Sequence, residues 1–134
     1  MCFNILNNLD KQFTKDISLN YRFNLGFEPA IIRSQQPLRR FEWHTVILSR
    51  DKKVGNLTVD GKPPVTGISK GGSTGLNLNQ NLFVGGVPDF SSISSSSGFA
   101  SGFVGCLSYL VIDGKVAKLG KFFVSFFEPL VNCI

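Results

Sequence analysis

The sequence predicts an all-β sandwich of two antiparallel sheets. Three observations carry that expectation. Short runs of residues alternate apolar and polar, the period of a strand with one covered face. Turn signals, two Asp-Gly dipeptides among them, recur roughly every 8 to 12 residues, the spacing of a sandwich. Finally, 14 Gly and 13 Phe stand beside a single Met, and the Ala/Glu/Leu/Lys runs of helical proteins are missing.

In chain order, DISLNYRFNLG sets Ile17, Leu19, Tyr21 and Phe23 on one face and Ser18, Asn20, Arg22 and Asn24 on the other. Gly26 and Pro29 interrupt it, AIIRS forms a short second strand, and QQPLRR turns the chain. In WHTVILSR, Trp43, Thr45, Ile47 and Ser49 oppose His44, Val46, Leu48 and Arg50. Both rows are apolar near the middle, as in a central strand, and Trp43 is expected as a core anchor. DKKVG turns the chain and NLTVD returns as a strand. Asp60-Gly61 then signals a two-residue type I′ turn, and KPPVTG follows as an edge strand, the place where prolines are tolerated. A strand is expected at Leu82–Val84, stopped by two glycines. DFSSISSSSGFASG reads as a solvated surface loop. GFVGCLSYLVIDGKV supplies a further strand with a second Asp-Gly hairpin at Asp113-Gly114, and the apolar tail KFFVSFFEPLVNC is expected to pack back on the body.

At 134 residues the chain has the size of one domain able to close its own core. An apolar content of 43% with 17% charged residues argues against disorder, and no window is long and apolar enough for a membrane span. Lys plus Arg exceed Asp plus Glu by 14 to 9, which suits a polyanionic partner. Nucleic acid fits poorly, because the aromatics lie in apolar alternation and are not interleaved with Lys and Arg as a stacking platform. Three cysteines without a CxxC pair, and one His, do not make a zinc site. The start, MCFNILNNLDKQF, lacks the basic and continuous apolar regions of a secretory leader.

No motif of nucleophilic catalysis is present, and His44 reads as structural. Basic residues cluster at Arg39 and Arg40, at Arg50 with Lys52 and Lys53, and at Lys115, Lys118 and Lys121. Loops of a sandwich gather at its two ends, so some of these clusters can converge on an acidic glycan. Asn56-Leu57-Thr58 satisfies the N-glycosylation triplet.

Taken in order, YRFNLG, PAIIRS, EWHTV, GNLTVDG, LFVGGVP and GFVGCLSYLVIDGK resemble the laminin G-like domain from about Asp16 to Cys133. The resemblance implies a jelly-roll (concanavalin-like) form of the sandwich, with residues 1–15 as an irregular segment and residues 16–134 as a module lacking its first strands. It implies a disulfide between Cys106 and Cys133, with Cys2 left over. A crosslink of that span is worth roughly 3 to 4 kcal/mol by loop entropy. It implies a rim calcium site with side chains from Glu28 and Asn77 and carbonyls from Thr45 and Gly75. An amide in place of an acid weakens such a site, because Ca²⁺ prefers charged oxygens.

The function implied is that of a non-catalytic interaction module, in a piece of a larger secreted or cell-surface protein. It would bind sulfated or acidic glycans, cell-surface receptors or matrix proteins through Arg39, Arg40, Arg50, Lys52 and Lys53, with Ca²⁺ as an auxiliary ion and Asn56 as a glycan carrier. A jelly-roll glycosidase is the enzymatic alternative. It needs two carboxylates roughly 5 to 9.5 Å apart, and Glu28 with Glu42 is the pair to inspect. A purely structural domain is the third reading, favoured if the basic clusters fall on opposite sides.

Overall fold

The computed structural model describes residues 2–7, 17–77, 82–84, 86, 87, 89, 91, 103 and 105–117. Among these the regular elements are all strands: β1 (Cys2–Asn7), β2 (Asn20–Phe23), β3 (Ala30–Arg33), β4 (Trp43–Asp51), β5 (Val54–Val59), β6 (Val65–Ile68), β7 (Gly105–Ile112) and β8 (Lys115–Ala117). Six form one antiparallel sheet in the order β6-β5-β4-β1-β7-β8, and β2 pairs with β3 in a second sheet. The all-β, antiparallel expectation holds, and the two layers are consistent with a jelly roll.

Alternation decides which side chains meet between the layers. On β3, Ala30 and Ile32 point inward while Ile31 and Arg33 are exposed. On β2, Phe23 is buried and stacks at a tilt on Tyr21, with ring centroids 5.4 Å apart. Val46 of β4 and Leu57 of β5 come from the large sheet, and Leu25 and Leu38 close the sides of the same cluster. Ile17 and Leu19, predicted on the face of Tyr21 and Phe23, pack against it. The layers approach closely because β5 and β6 carry glycine where Ile32 and Phe23 rest. A Cβ on Gly67 would lie 2.5 Å from Ile32 Cγ1, and one on Gly55 would overlap the Phe23 ring and sit 2.9 Å from Ile32 Cδ1.

The hairpins follow their turn residues. Asp60 and Gly61 have φ of 52° and 68°, and Asp113 and Gly114 have 49° and 75°, the paired positive values that a type I′ turn requires. The Lys62 amide donates to the Val59 carbonyl to close the first. β6 is an edge strand of the large sheet, as its preceding prolines anticipate.

Three expectations need correction. Cys2–Asn7 is not irregular: as β1 it lies between β4 and β7. Its mixture of Phe, Ile, Leu and two Asn shows no clean period of two, and pairing on both sides stabilises the strand instead. Trp43 is no core anchor: it is 46% exposed, while His44 and Val46 are buried. The β2–β3 layer covers the row of His44 and Val46, leaving Trp43 and Ile47 outside. Leu82–Val84 is not a strand, and all three side chains are exposed. The Ser-rich loop, for nearly all its length, and the apolar tail lie outside the described residues.

Overpacking the interlayer contact is expected to cost roughly 1 to 3 kcal/mol. Gly55→Ala should therefore lower the urea midpoint clearly. Gly72→Ala, where an added Cβ meets nothing within 4 Å, should leave it near the native value.

Candidate functional site

The described residues gather polar chemistry at the two ends of β4. This strand is nine residues long, so its ends are about 26 Å apart at the rise of an extended chain. At its start lie the β3–β4 turn, with Arg39, Arg40, Phe41 and Glu42, and the β5–β6 turn with Asp60 and Lys62. At its finish lie the β4–β5 turn, with Lys52 and Lys53, and the segment after β6. Arg39 and Arg40 thus sit at one end and Arg50, Lys52 and Lys53 at the other. The five basic residues do not form one patch, which counts against a single glycan site built from all of them; Arg50, Lys52 and Lys53 alone share an end.

A histidine bridge organises the first end. His44 is 5% exposed. Its Nδ1 lies 2.7 Å from Asp60 Oδ2 and its Nε2 lies 2.8 Å from the Arg39 carbonyl oxygen. Each ring nitrogen thus faces an oxygen acceptor. Asp60 Oδ1 accepts the Thr45 amide at 2.8 Å, and the Thr45 carbonyl accepts the Asp60 amide at 2.9 Å. The bridge ties β4 to both neighbouring turns. A cleft of about 200 Å³ opens beside it, floored by Leu38, Leu57 and Val65 and rimmed by Gln36, Arg39, Glu42 and Lys62. The Lys62 ammonium donates to Gln36 Oε1 across that rim.

Phe41, in the β3–β4 turn, has φ of 61° and is 63% exposed. A bulky side chain in the left-handed region stores strain on the order of 1 to 3 kcal/mol. The pattern-based reading passed over it, because a lone Phe between Arg and Glu carries no periodic signal.

The second end is denser in cations. The Arg50 guanidinium donates from Nη1 to the Lys52 carbonyl at 2.6 Å and the Thr74 carbonyl at 3.3 Å, neutral acceptors that hold it in place without cancelling its charge. The Ser69 amide donates to the Lys53 carbonyl, and the Ser69 hydroxyl donates to the Glu28 carbonyl. These bonds bring the β2–β3 loop to the same end. Lys70, which the sequence reading did not single out, lies here 2.6 Å from Glu28 Oε2. Hydrogen bonding to that carboxylate, together with its charge, raises the Lys70 pKa. Lys115 follows the β7–β8 turn at the opposite edge of the large sheet from β6, apart from this group.

The expected calcium ligands do not form one set. Glu28 is tied to Ser69 and Lys70, and Gly75 follows the Thr74 that accepts from Arg50, whereas Thr45 lies about six strand residues, or roughly 20 Å, from that end. Ca²⁺ needs its oxygens at 2.3 to 2.6 Å. The Thr45 carbonyl already accepts from Asp60, and Glu28 already pairs with Lys70. Asn77 is exposed, and no group of three or more His, Cys, Asp or Glu side chains suited to a metal occurs among the described residues. The four residues thus do not converge as one ligand set. Glu28 and Glu42 likewise occupy opposite ends of β4, far beyond the separation of a glycosidase pair.

Cys106 is disulfide-bonded. Across β1, Leu6 faces Cys106 while Cys2 faces Val111, which puts Cys2 about 13 Å along the sheet, too far for a disulfide. Cys133, the expected partner, lies outside the described residues, as do Lys118 and Lys121. Asn56 sits in the middle of β5 on the outward face. Its Oδ1 accepts from Thr66 Oγ1 at 2.7 Å and its Nδ2 donates to Ser49 Oγ at 3.5 Å.

A two-layer antiparallel sandwich with a late bonded cysteine and polar ends defines a modular β-sandwich domain. Comparison with known proteins agrees: the laminin G domain family matches residues 13–115, and the chain belongs to that family. It is 43% identical over 95 residues to the basement membrane-specific heparan sulfate proteoglycan core protein of Mus musculus, covering 71% of this chain and 2% of that protein. It is 31% identical over 107 residues to pikachurin of Homo sapiens, covering 80% and 10%, and 32% identical over 106 residues to neurexin-2 of Mus musculus, covering 75% and 6%. The chain therefore spans a small part of the length of these relatives.

The bridge makes stability depend on pH. Burial opposes ionisation of Asp60, but hydrogen bonds from His44 and the Thr45 amide and the charges of His44 and Lys62 together outweigh it and lower its pKa. A carboxyl lowered in the folded state adds stability that is complete above its unfolded pKa, about 4, and is lost as pH falls through the folded value. The urea midpoint is expected to drop as pH falls below about 4. Asp60→Asn, which keeps a residue tolerant of positive φ, should lower the midpoint at neutral pH and flatten this acid limb. An unchanged limb in the variant would remove Asp60 from the account.

Proposed function

We propose that the chain is a non-catalytic interaction module of an extracellular matrix or cell-surface protein, which recognises an acidic glycan at the end of the sandwich formed by the β4–β5 turn. One observation carries this reading: Arg50, Lys52 and Lys53 share that end with Lys70, which the bond from the Ser69 amide to the Lys53 carbonyl brings in from a separate segment. A surface of like charge raises the local concentration of polyanions, and a guanidinium fixed by neutral carbonyls keeps its remaining donors for sulfate or carboxylate. Of the acids at this end, Glu28 is engaged by Lys70.

Family membership supports a role in adhesion or matrix assembly, and the names of the relatives include a basement membrane proteoglycan. A disulfide at Cys106 suits an oxidising compartment, and no described helix is long and apolar enough to cross a membrane. Asn56, displayed on the outward face with Thr58 beside it, is the proposed site of an N-linked glycan.

Heparin-affinity elution tests the reading. The folded, oxidised protein is expected to elute well above physiological salt. Lys52→Ala/Lys53→Ala should shift elution to clearly lower salt, and Arg39→Ala/Arg40→Ala should shift it less. Flow-through of the native chain would rule out sulfated glycan as the ligand. Secreted material is expected to lose mass on treatment with an N-glycanase, and Asn56→Gln to abolish that loss.

A further inference from the structure

The end of the sandwich away from Lys52 and Lys53 has features that its own core does not account for. Phe41 holds a strained left-handed backbone while its ring is 63% exposed, so burial within the chain does not offset the strain. Trp43, two residues on, is 46% exposed, and the Arg39 side chain is 81% exposed, with only a 3.6 Å ion pair to Glu42. Yet the turn is anchored: the buried His44 ring holds the Arg39 carbonyl from one side and Asp60 from the other. Strain, exposed aromatic rings and a buried polar anchor within Arg39 to His44 describe a surface held ready for a ligand.

We propose that the turn Arg39–Trp43 is a second saccharide contact, in which Phe41 and Trp43 take the C–H faces of sugar rings while Arg39 takes a neighbouring sulfate or carboxylate. This rests on the acidic-glycan reading and adds to it a contact that net charge does not reveal. The face of an aromatic ring is electron-rich, and it complements the slightly positive C–H hydrogens of a pyranose. A protein partner fits less well, because it needs a contiguous apolar area of several hundred Å². Here the exposed carboxylate of Glu42 stands between the two rings in the chain, which suits a narrow chain of sugars more than a broad apolar face.

Trp43 is the only tryptophan, so its emission reports on this turn alone. The test titrates the oxidised protein with a heparin-derived tetrasaccharide, with maltotetraose as the uncharged control. Trp43 emission is expected to change saturably with the heparin fragment and little with maltotetraose. Phe41→Gly separates binding from folding, since glycine takes positive φ without strain. The variant should match or exceed native stability in urea while its saccharide affinity falls about tenfold. Lys52→Ala/Lys53→Ala should weaken column retention and leave the emission change in place. A native chain that is retained on heparin, but whose Trp43 emission stays constant and whose affinity survives Phe41→Gly, would overturn the second contact and leave the first standing. Loss of retention by the native chain itself would overturn both.

Discussion

The close contact between the two layers is the constraint on which the rest of the molecule depends. Ile32 and Phe23, carried by a sheet of only two described strands, reach the large sheet because Gly55 and Gly67 have no side chains to hold them off. That approach buries Val46 and Leu57 almost completely and settles which row of β4 faces inward. Trp43 and Ile47 owe their exposure to that choice.

Polar groups caught under the layers are satisfied locally, and in being satisfied they define the loops. Among the described residues no buried side-chain nitrogen or oxygen lacks a partner. Ser34 Oγ accepts from the Leu19 amide and donates to the Gln36 carbonyl, Ser69 holds the β2–β3 loop, and His44 holds the β3–β4 turn. Each unmade bond of this kind costs about 1 to 3 kcal/mol. The two ends of the sandwich are therefore shaped by the core's need to pair its polar groups, and the exposed cations and aromatic rings are set on loops that such bonds hold.

The family shares a scaffold, and function lies in what is mounted on its ends. Here the cations divide between two ends, with aromatic rings beside one group. A calcium site assembled from Glu28, Asn77, Thr45 and Gly75 would have drawn on both ends at once. In its place Glu28 meets Lys70, and an ammonium occupies the carboxylate that a metal would have needed.

Much of this was readable from residue order, because the relevant physics is local. Period-two alternation reports one-sided burial, so Ile17, Leu19, Tyr21 and Phe23 could be assigned to one covered face. Asp-Gly pairs accept positive φ at low cost, so both I′ hairpins could be located. The laminin G pattern rests on the same strands and turns. Where two rows are both apolar, as on β4, alternation is silent about which is covered, and Trp43 was placed inside on its size alone. β1 escapes the pattern because its period is weak and its stability comes from pairing with two strands distant in sequence, β4 and β7. The separation of Arg39 and Arg40 from Lys52 and Lys53, and the arrival of Lys70 beside Glu28, follow from strand length and from how the sheets stack. Such arrangements exist only once distant segments have packed, and no short stretch of sequence encodes them.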